Sequence, residues 1–307
     1  MKKQERSKTN TKRSDNSLLG DATDAKASGL SYTFGVAFYL ALSYLCLMVT
    51  SSFSADSQFV LYAQYLISPL AILLLTIWYF AWTKKSFKRA VTKQKCHPKY
   101  YFIAILLQIG LLSLSELNAL FLSWLESFGY KPPPVPLPSM DGFGLVGVLI
   151  AIAVLPAVFE EIFFRGILLD GCKVFGEVGA VLLCGGLFAL YHQSPAQTMY
   201  QFCCGAAFAL VALKSGSIVP TAISHFLNNA LILVLTKFGI ANFPTPVLIA
   251  VLCVSVPCLI GSLVYLISFD RKKQDEKTGT KKQFLLGALG GIVICALVWI
   301  SALFLGV

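Results

Sequence analysis

"GLVGVLIAIAVLPAVFEEIFFRGILL", Gly144 to Leu169, decides how this chain must be read. A run of about 20 apolar residues crosses a bilayer as a helix. This one also carries Glu160, Glu161 and Arg165. Each ionised group at the bilayer centre costs at least ~2.5 kcal/mol on insertion scales. The helical repeat separates the three charges. Residues four apart share a face, so Glu161 and Arg165 can form an ion pair. Glu160 stands ~100° around the helix and has no partner within it. A buried carboxylate of that kind shifts its proton equilibrium or finds a partner on another helix.

The rest of the chain agrees with a membrane reading. It has 307 residues, of which 56% are hydrophobic and only 13% charged. A soluble domain carries roughly 25% charged residues. Residues 1–29 are polar, lack the apolar stretch of a cleavable signal peptide and read as a disordered basic tail. The net charge of +10 does not point to nucleic acid, because the basic residues come in bands that membrane topology explains. The nine cysteines show no C-x-x-C pair, so they read as small core residues rather than a disulfide framework.

Hydropathy places helices at 33–50, 59–82, 100–125, 143–169, 179–191, 197–213, 218–236, 246–269 and 284–305. The fold class is therefore all-α, a polytopic membrane bundle of eight to nine transmembrane helices. Of 25 Lys and Arg, seven fall in residues 1–29, seven in 84–99 and six in 270–283. With nine spans these segments share one side, and the positive-inside rule makes that side, and the N-terminus, cytosolic. The same bands would attract anionic lipid heads. Four regions follow: a tail over 1–29, N-terminal helices over 30–142, a core over 143–231 and C-terminal helices over 232–307. "KPPPVPLP", Lys131 to Pro138, is a stiff external loop.

Two further polar groups lie in apolar helices. "FALYH" ends the fifth span at His192, and "SHFLNN" places His225 and Asn229 four apart in the seventh. Helical rise puts Glu160 and His192 ~22–24 Å above the turn near residue 175, with His225 and Asn229 ~12–18 Å up. All four can face one cavity. A carboxylate that binds water is a general base, and a neighbouring His can hold or polarise that water. A His and an Asn can donate to a developing oxyanion. Alternatively, Glu160, His192 and His225 form a plausible zinc set with an open fourth position. Residue spacing does not separate the two arrangements. Glu116, in "SLSELN" of the third span, reads best as a polar inter-helix contact, and Asn228 competes with Asn229 as the working amide.

The three motifs E-E-x-x-x-R (Glu160, Glu161, Arg165), F-x-x-x-H (Phe188, His192) and H-x-x-x-N (His225, Asn229) resemble the CPBP family of CAAX-protease and bacteriocin-processing (Abi) intramembrane peptidases. The resemblance covers about 143–231, with "FFRGIL" and "KSGSIVPTAISHFLNN" agreeing between the motifs. It implies a helical intramembrane endopeptidase acting on peptides or lipidated peptides, with its core on spans four, five and seven. By this resemblance Glu160 activates water, His192 assists, and His225 and Asn229 stabilise the oxyanion. Glu161 and Arg165 brace the site and Phe188 packs beside His192. A metal-free mechanism is favoured over zinc. Short loops and a lysine-rich tail suggest a bacterial cell membrane, where such proteins serve peptide maturation or bacteriocin self-immunity. The competing readings are a non-proteolytic immunity or scaffold protein and a proton-coupled transporter. The transporter predicts related halves, and no internal repeat is present.

Overall fold

Each expected span is a helix in the computed structural model, which describes residues 24–92, 95–240, 243–270 and 278–305. The helices are α1 (Asp24–Thr50), α2 (Gln58–Thr83), the short α3 (Phe87–Val91), α4 (Lys99–Leu111) and α5 (Leu114–Ser127). They continue as α6 (144–172), α7 (Gly176–Tyr191), α8 (Thr198–Ser215), α9 (Val219–Lys237), α10 (Thr245–Val264) and α11 (Lys281–Leu305). Among the described residues there is no strand beyond one isolated bridge between Thr92 and Ser217.

Among the described residues eight helical runs are long and apolar enough to cross a membrane. One of them, Gly144–Tyr191, has 48 residues. At ~1.5 Å per residue this is ~72 Å, over twice the ~30 Å hydrocarbon core. It folds back on itself instead. Gly176 takes φ +83, a left-handed conformation open to glycine, and α6 and α7 run antiparallel from that turn. Contacts between Phe164 and Phe188 and between Phe163 and Tyr191 fix their register. The eight runs thus make nine passes. The third pass is one span in two pieces, α4 and α5, joined at Leu112–Ser113.

The first helix starts earlier than hydropathy places it. It begins at Asp24 rather than near residue 33, so only residues 1–23 of the expected tail lie outside the described residues. Packing is the reason. Gly29 on α1 sits against the Phe284 backbone of α11, and Gly287 and Gly291 of α11 sit against Gly29, Leu30 and Thr33. Small residues four apart let two backbones approach within a membrane. Thr33 then donates from Oγ1 to the Gly287 carbonyl at 2.6 Å. The N-terminal turn of α1 is thereby held by the last helix.

One end of the bundle gathers the ionic residues. Lys85 pairs with Asp24, and Thr278 donates to the same carboxylate at 2.7 Å. Lys99–Asp270, Lys173–Asp170 and Lys214–Glu177 pair at 3.3, 2.9 and 2.7 Å. The segments around Lys85, Lys99 and Asp270, all within or beside the basic bands, therefore meet at the same end as the α6–α7 turn. The flanks of the bundle expose Leu70, Ile77, Phe102, Leu120, Val254 and Phe304. A soluble monomer does not present such a continuous apolar surface, so the chain is an integral membrane protein. The main core lies where α1, α2, α6 and α7 meet, around Tyr32, Leu75, Phe163, Phe164, Phe188 and Tyr191.

Candidate active site

The site is built on α6, which is not a regular helix. Two wide i→i+5 turns, Leu149–Val154 and Ile162–Leu168, flank the regular segment Leu155–Glu161. Pro156 explains the first. It has no N–H to give the carbonyl four residues back, that of Ile152, and its ring crowds that carbonyl. Wide turns absorb such faults and frequently occur at functional sites. The second wide turn follows the glutamates directly and carries Arg165.

Arg165 and Glu161 pair as their spacing predicts. Nη1 of Arg165 lies 2.8 Å from Oε1 of Glu161, with both side chains fully buried. Burying two charges is tolerable only when further polar contacts satisfy them. Nη2 of Arg165 donates to the Gly205 carbonyl of α8 at 3.1 Å. The guanidinium also lies 4.5 Å from the ring centroid of Phe188 and 5.5 Å from that of Phe208. Those rings supply cation–π attraction where water cannot reach. Gly205 is available because α7 and α8 cross closely at Gly185, where a Cβ would lie 2.8 Å from the Ala206 nitrogen.

Glu161 holds a second partner that spacing along one helix does not reveal. Nδ1 of His225, on α9, lies 3.1 Å from the same Oε1. An ionised carboxylate only accepts, so Nδ1 carries the proton. The opposite ring nitrogen, Nε2, faces Glu160 at 3.8 Å from its Oε2. That distance is too long for a direct hydrogen bond and suits a bridging water. Oε2 of Glu160 is buried and has no hydrogen-bond partner in the protein. The two adjacent acids thus differ: Glu161 is hydrogen-bonded to α6 and α9, whereas Glu160 meets α9 only across the longer gap to His225.

His192 follows the last residue of α7, where Gln193 takes φ +54 and ends the helix. Its Nδ1 lies 2.8 Å from the Phe188 carbonyl, which can only accept. The proton therefore sits on Nδ1, and Nε2 of the neutral ring is free to accept one. Glu160 and His192 are electrostatic neighbours. Phe188 packs between the two imidazoles, with centroids 4.7 Å from His192 and 6.0 Å from His225.

Asn229 is placed differently. Its Nδ2 donates to the Ile152 carbonyl at 3.3 Å, the carbonyl Pro156 cannot serve. The structure connects it to α6 backbone rather than directly to Glu160, His192 or His225. Asn228 turns to α4 and α8: its Oδ1 accepts from Gln108 at 3.0 Å and from the Tyr200 hydroxyl at 2.6 Å. Gln108 and Tyr200 do not stand out in the motifs. Gln108 nevertheless is an amide within the apolar run "YYFIAILLQIGLL", the kind of intramembrane polar residue that marks a site.

Glu116 is corrected. It is exposed, in the first turn of α5, where the helix dipole favours an acid. The inter-helix contact in that stretch is made by Asn118 instead. Asn118 donates to the Ala196 carbonyl at 3.2 Å and accepts from the Tyr200 backbone at 3.3 Å.

The zinc alternative requires three protein ligands around one point. Among the described residues no three His, Cys, Asp or Glu side chains are placed to hold one ion. Both histidines give Nδ1–H to protein acceptors, which leaves Nε2 of each open.

Beside the acids, an apolar groove of about 540 Å³ runs between α6 and α9. Ala157, Val158, Ile162, Ala222 and Phe226 line it, together with Phe87 and Val91 of α3. Its lining residues flank Glu160, Glu161 and His225 in sequence.

Residues 142–231 match the model of a family described as type II CAAX prenyl endopeptidase Rce1-like. The match contains all three motifs and every site residue on α6, α7 and α9, in agreement with the resemblance those motifs carry. At the level of family it supports a CAAX-protease-type intramembrane endopeptidase. No curated protein and no solved structure matches the chain.

Proposed function

We propose that the chain is an intramembrane endopeptidase that hydrolyses a peptide bond in a lipidated or membrane-embedded peptide, with Glu160 as the base. The observation that carries this reading is the asymmetry of the two acids. Each acid has a buried Oε2 without a hydrogen-bond partner, but Oε1 of Glu161 is held by Arg165 and His225, whereas the Oε2 of Glu160 faces His225 at 3.8 Å, too far for a direct hydrogen bond. A buried carboxylate with an oxygen free of protein hydrogen bonds, beside two imidazoles, is suited to proton transfer.

A water held between Glu160 and the histidines gives its proton to Glu160 as its oxygen attacks the scissile carbonyl carbon. Negative charge then develops on the carbonyl oxygen. The resemblance gives the donor role to His225 and Asn229: an imidazolium His225, its Nδ1–H held by Glu161, would donate from Nε2, and Asn229 from its amide, and such donors stabilise the oxyanion. The C–N bond breaks as the proton passes to the leaving amine, with His192 Nε2 assisting. No step requires a metal. Glu161 and Arg165 hold His225 and α8 in place.

The groove supports an apolar substituent on the substrate. Its lining residues are all hydrophobic, and burial of an isoprenoid or acyl chain there gains ~25 cal/mol per Å². The basic end of the bundle is assigned to the cytosolic side by charge, where the bands meet anionic lipid heads. A bacterial cell membrane, with peptide maturation or self-immunity as the role, is the corresponding setting.

The test is cleavage of farnesylated and unmodified peptides by purified protein and its Glu160→Gln variant, with and without a chelator. Cleavage by the wild type, lost in Glu160→Gln and indifferent to chelator, is expected. Equal product from both proteins would overturn the reading of Glu160. Loss with chelator and recovery with zinc would overturn the metal-free mechanism.

A further inference from the structure

We infer that Tyr200 and Gln108 are positioning residues that aim the Asn229 carboxamide through Asn228. This rests on the peptidase reading above.

A carboxamide can be turned either way, and its function depends on which end faces the reaction. Here one fixed point settles the whole chain of contacts. The Ile152 carbonyl can only accept, so Asn229 must present its NH₂ to it, at 3.3 Å. Asn229 Oδ1 then faces Asn228, whose Nδ2 donates at 3.4 Å. Asn228 Oδ1 is left to accept, and it does so twice, from Gln108 Nε2 at 3.0 Å and the Tyr200 hydroxyl at 2.6 Å. Reversing any one amide would set two donors or two acceptors against each other.

The network joins four helices. Gln108 comes from α4, Tyr200 from α8, Asn228 and Asn229 from α9, and Ile152 from the wide turn of α6. Gln108 and Asn228 are buried, so water does not compete for the bond between them. Two donors on one carbonyl oxygen also polarise the Asn228 amide, which strengthens its own donation. Asn229 has two N–H groups, and Ile152 takes one. The second is the donor left for a developing oxyanion, and its direction is set by the network. A hydrogen bond from Tyr200 thus acts on the reaction without touching it.

The experiment uses the full chain in detergent with an internally quenched farnesylated peptide. Wild type and Glu160→Gln first establish cleavage. Tyr200→Phe and the isosteric Asn228→Asp are then compared with Asn229→Ala. Asn228→Asp still accepts from Tyr200 and Gln108 but cannot donate to Asn229. Both variants are expected to lose about tenfold to a hundredfold in kcat, the effect of misplacing a catalytic group from a distance. KM should stay near wild type in both, and so should the melting temperature of Tyr200→Phe. In the Asn229→Ala background Tyr200→Phe should add nothing, since the residue it positions is gone. If Tyr200→Phe melts early, Gln108→Met probes the same amide from α4 with the same expected result.

Wild-type kcat in Tyr200→Phe and Asn228→Asp, with Asn229→Ala impaired, would overturn this inference and leave the peptidase intact. An equal loss from Tyr200→Phe with and without Asn229 would overturn it too, as the mark of a structural contact. Absence of cleavage by the wild type would overturn both.

Discussion

Nδ1 of His225 lies 3.1 Å from Oε1 of Glu161, the oxygen that also receives Arg165. One carboxylate oxygen therefore ties the guanidinium of α6 to the imidazole of α9. This gives Glu161 two tasks: it neutralises a buried cation, and it fixes which nitrogen of His225 faces Glu160.

The two acids should respond differently to the same isosteric change. Glu161→Gln leaves Arg165 buried without its counter-charge, and breaking a buried pair in this way costs about 3–5 kcal/mol. Glu160→Gln removes no protein hydrogen bond from Oε2, so its stability should stay within about 1 kcal/mol of wild type. Thermal unfolding in one detergent checks both. Comparable melting temperatures for the two variants would contradict the division of roles.

Arg165→Lys should not rescue the site. Lysine keeps the charge but cannot address Glu161 and the Gly205 carbonyl in one plane, nor stack on Phe188 as a guanidinium does. A loss of about 1–3 kcal/mol is expected from the broken charged hydrogen bond. Arg165→Lys stability equal to wild type would show that only the charge matters.

The α7–α8 crossing sets the position of the Gly205 carbonyl. A Cβ at Gly185 would meet the Ala206 nitrogen at 2.8 Å and the Phe202 oxygen at 2.9 Å, both backbone atoms. Gly185→Ala should therefore separate the helices, with an overpacking cost of about 1–3 kcal/mol. Activity should fall with stability because Arg165 loses its acceptor. A Gly185→Ala protein as stable and active as wild type would mean the crossing adjusts freely.

Filling the groove should affect lipidated substrates alone. Ala222 lines it on α9, and Ala222→Phe would displace a few methylenes of a bound chain, each worth ~0.8 kcal/mol. KM for a farnesylated peptide should rise about tenfold, the effect of ~1.4 kcal/mol. An unmodified peptide of the same sequence should be cleaved as before. Parallel changes in both peptides would remove the groove from substrate binding.

What the sequence determined by itself was local. Runs of apolar residues specify membrane helices because the backbone must satisfy its own hydrogen bonds in lipid, and the basic bands agree with the end at which their ion pairs gather. The four-residue spacing of Glu161 and Arg165 is a property of one helix, and it holds in three dimensions. The rest depends on how helices cross. The attachment of His225 to Glu161 rather than to its neighbour could not be read from spacing, since it requires the depth and rotation of α9 against α6. Nor could the start of α1 at Asp24, which follows from its seat on the glycines of α11. Pro156 and Asn229 lie far apart in sequence, yet one removes a donor from Ile152 and the other supplies it. Asn118, not Glu116, makes the polar contact because only one of the two faces α8. Helical periodicity assigns each residue a face, and tertiary packing alone decides what that face meets.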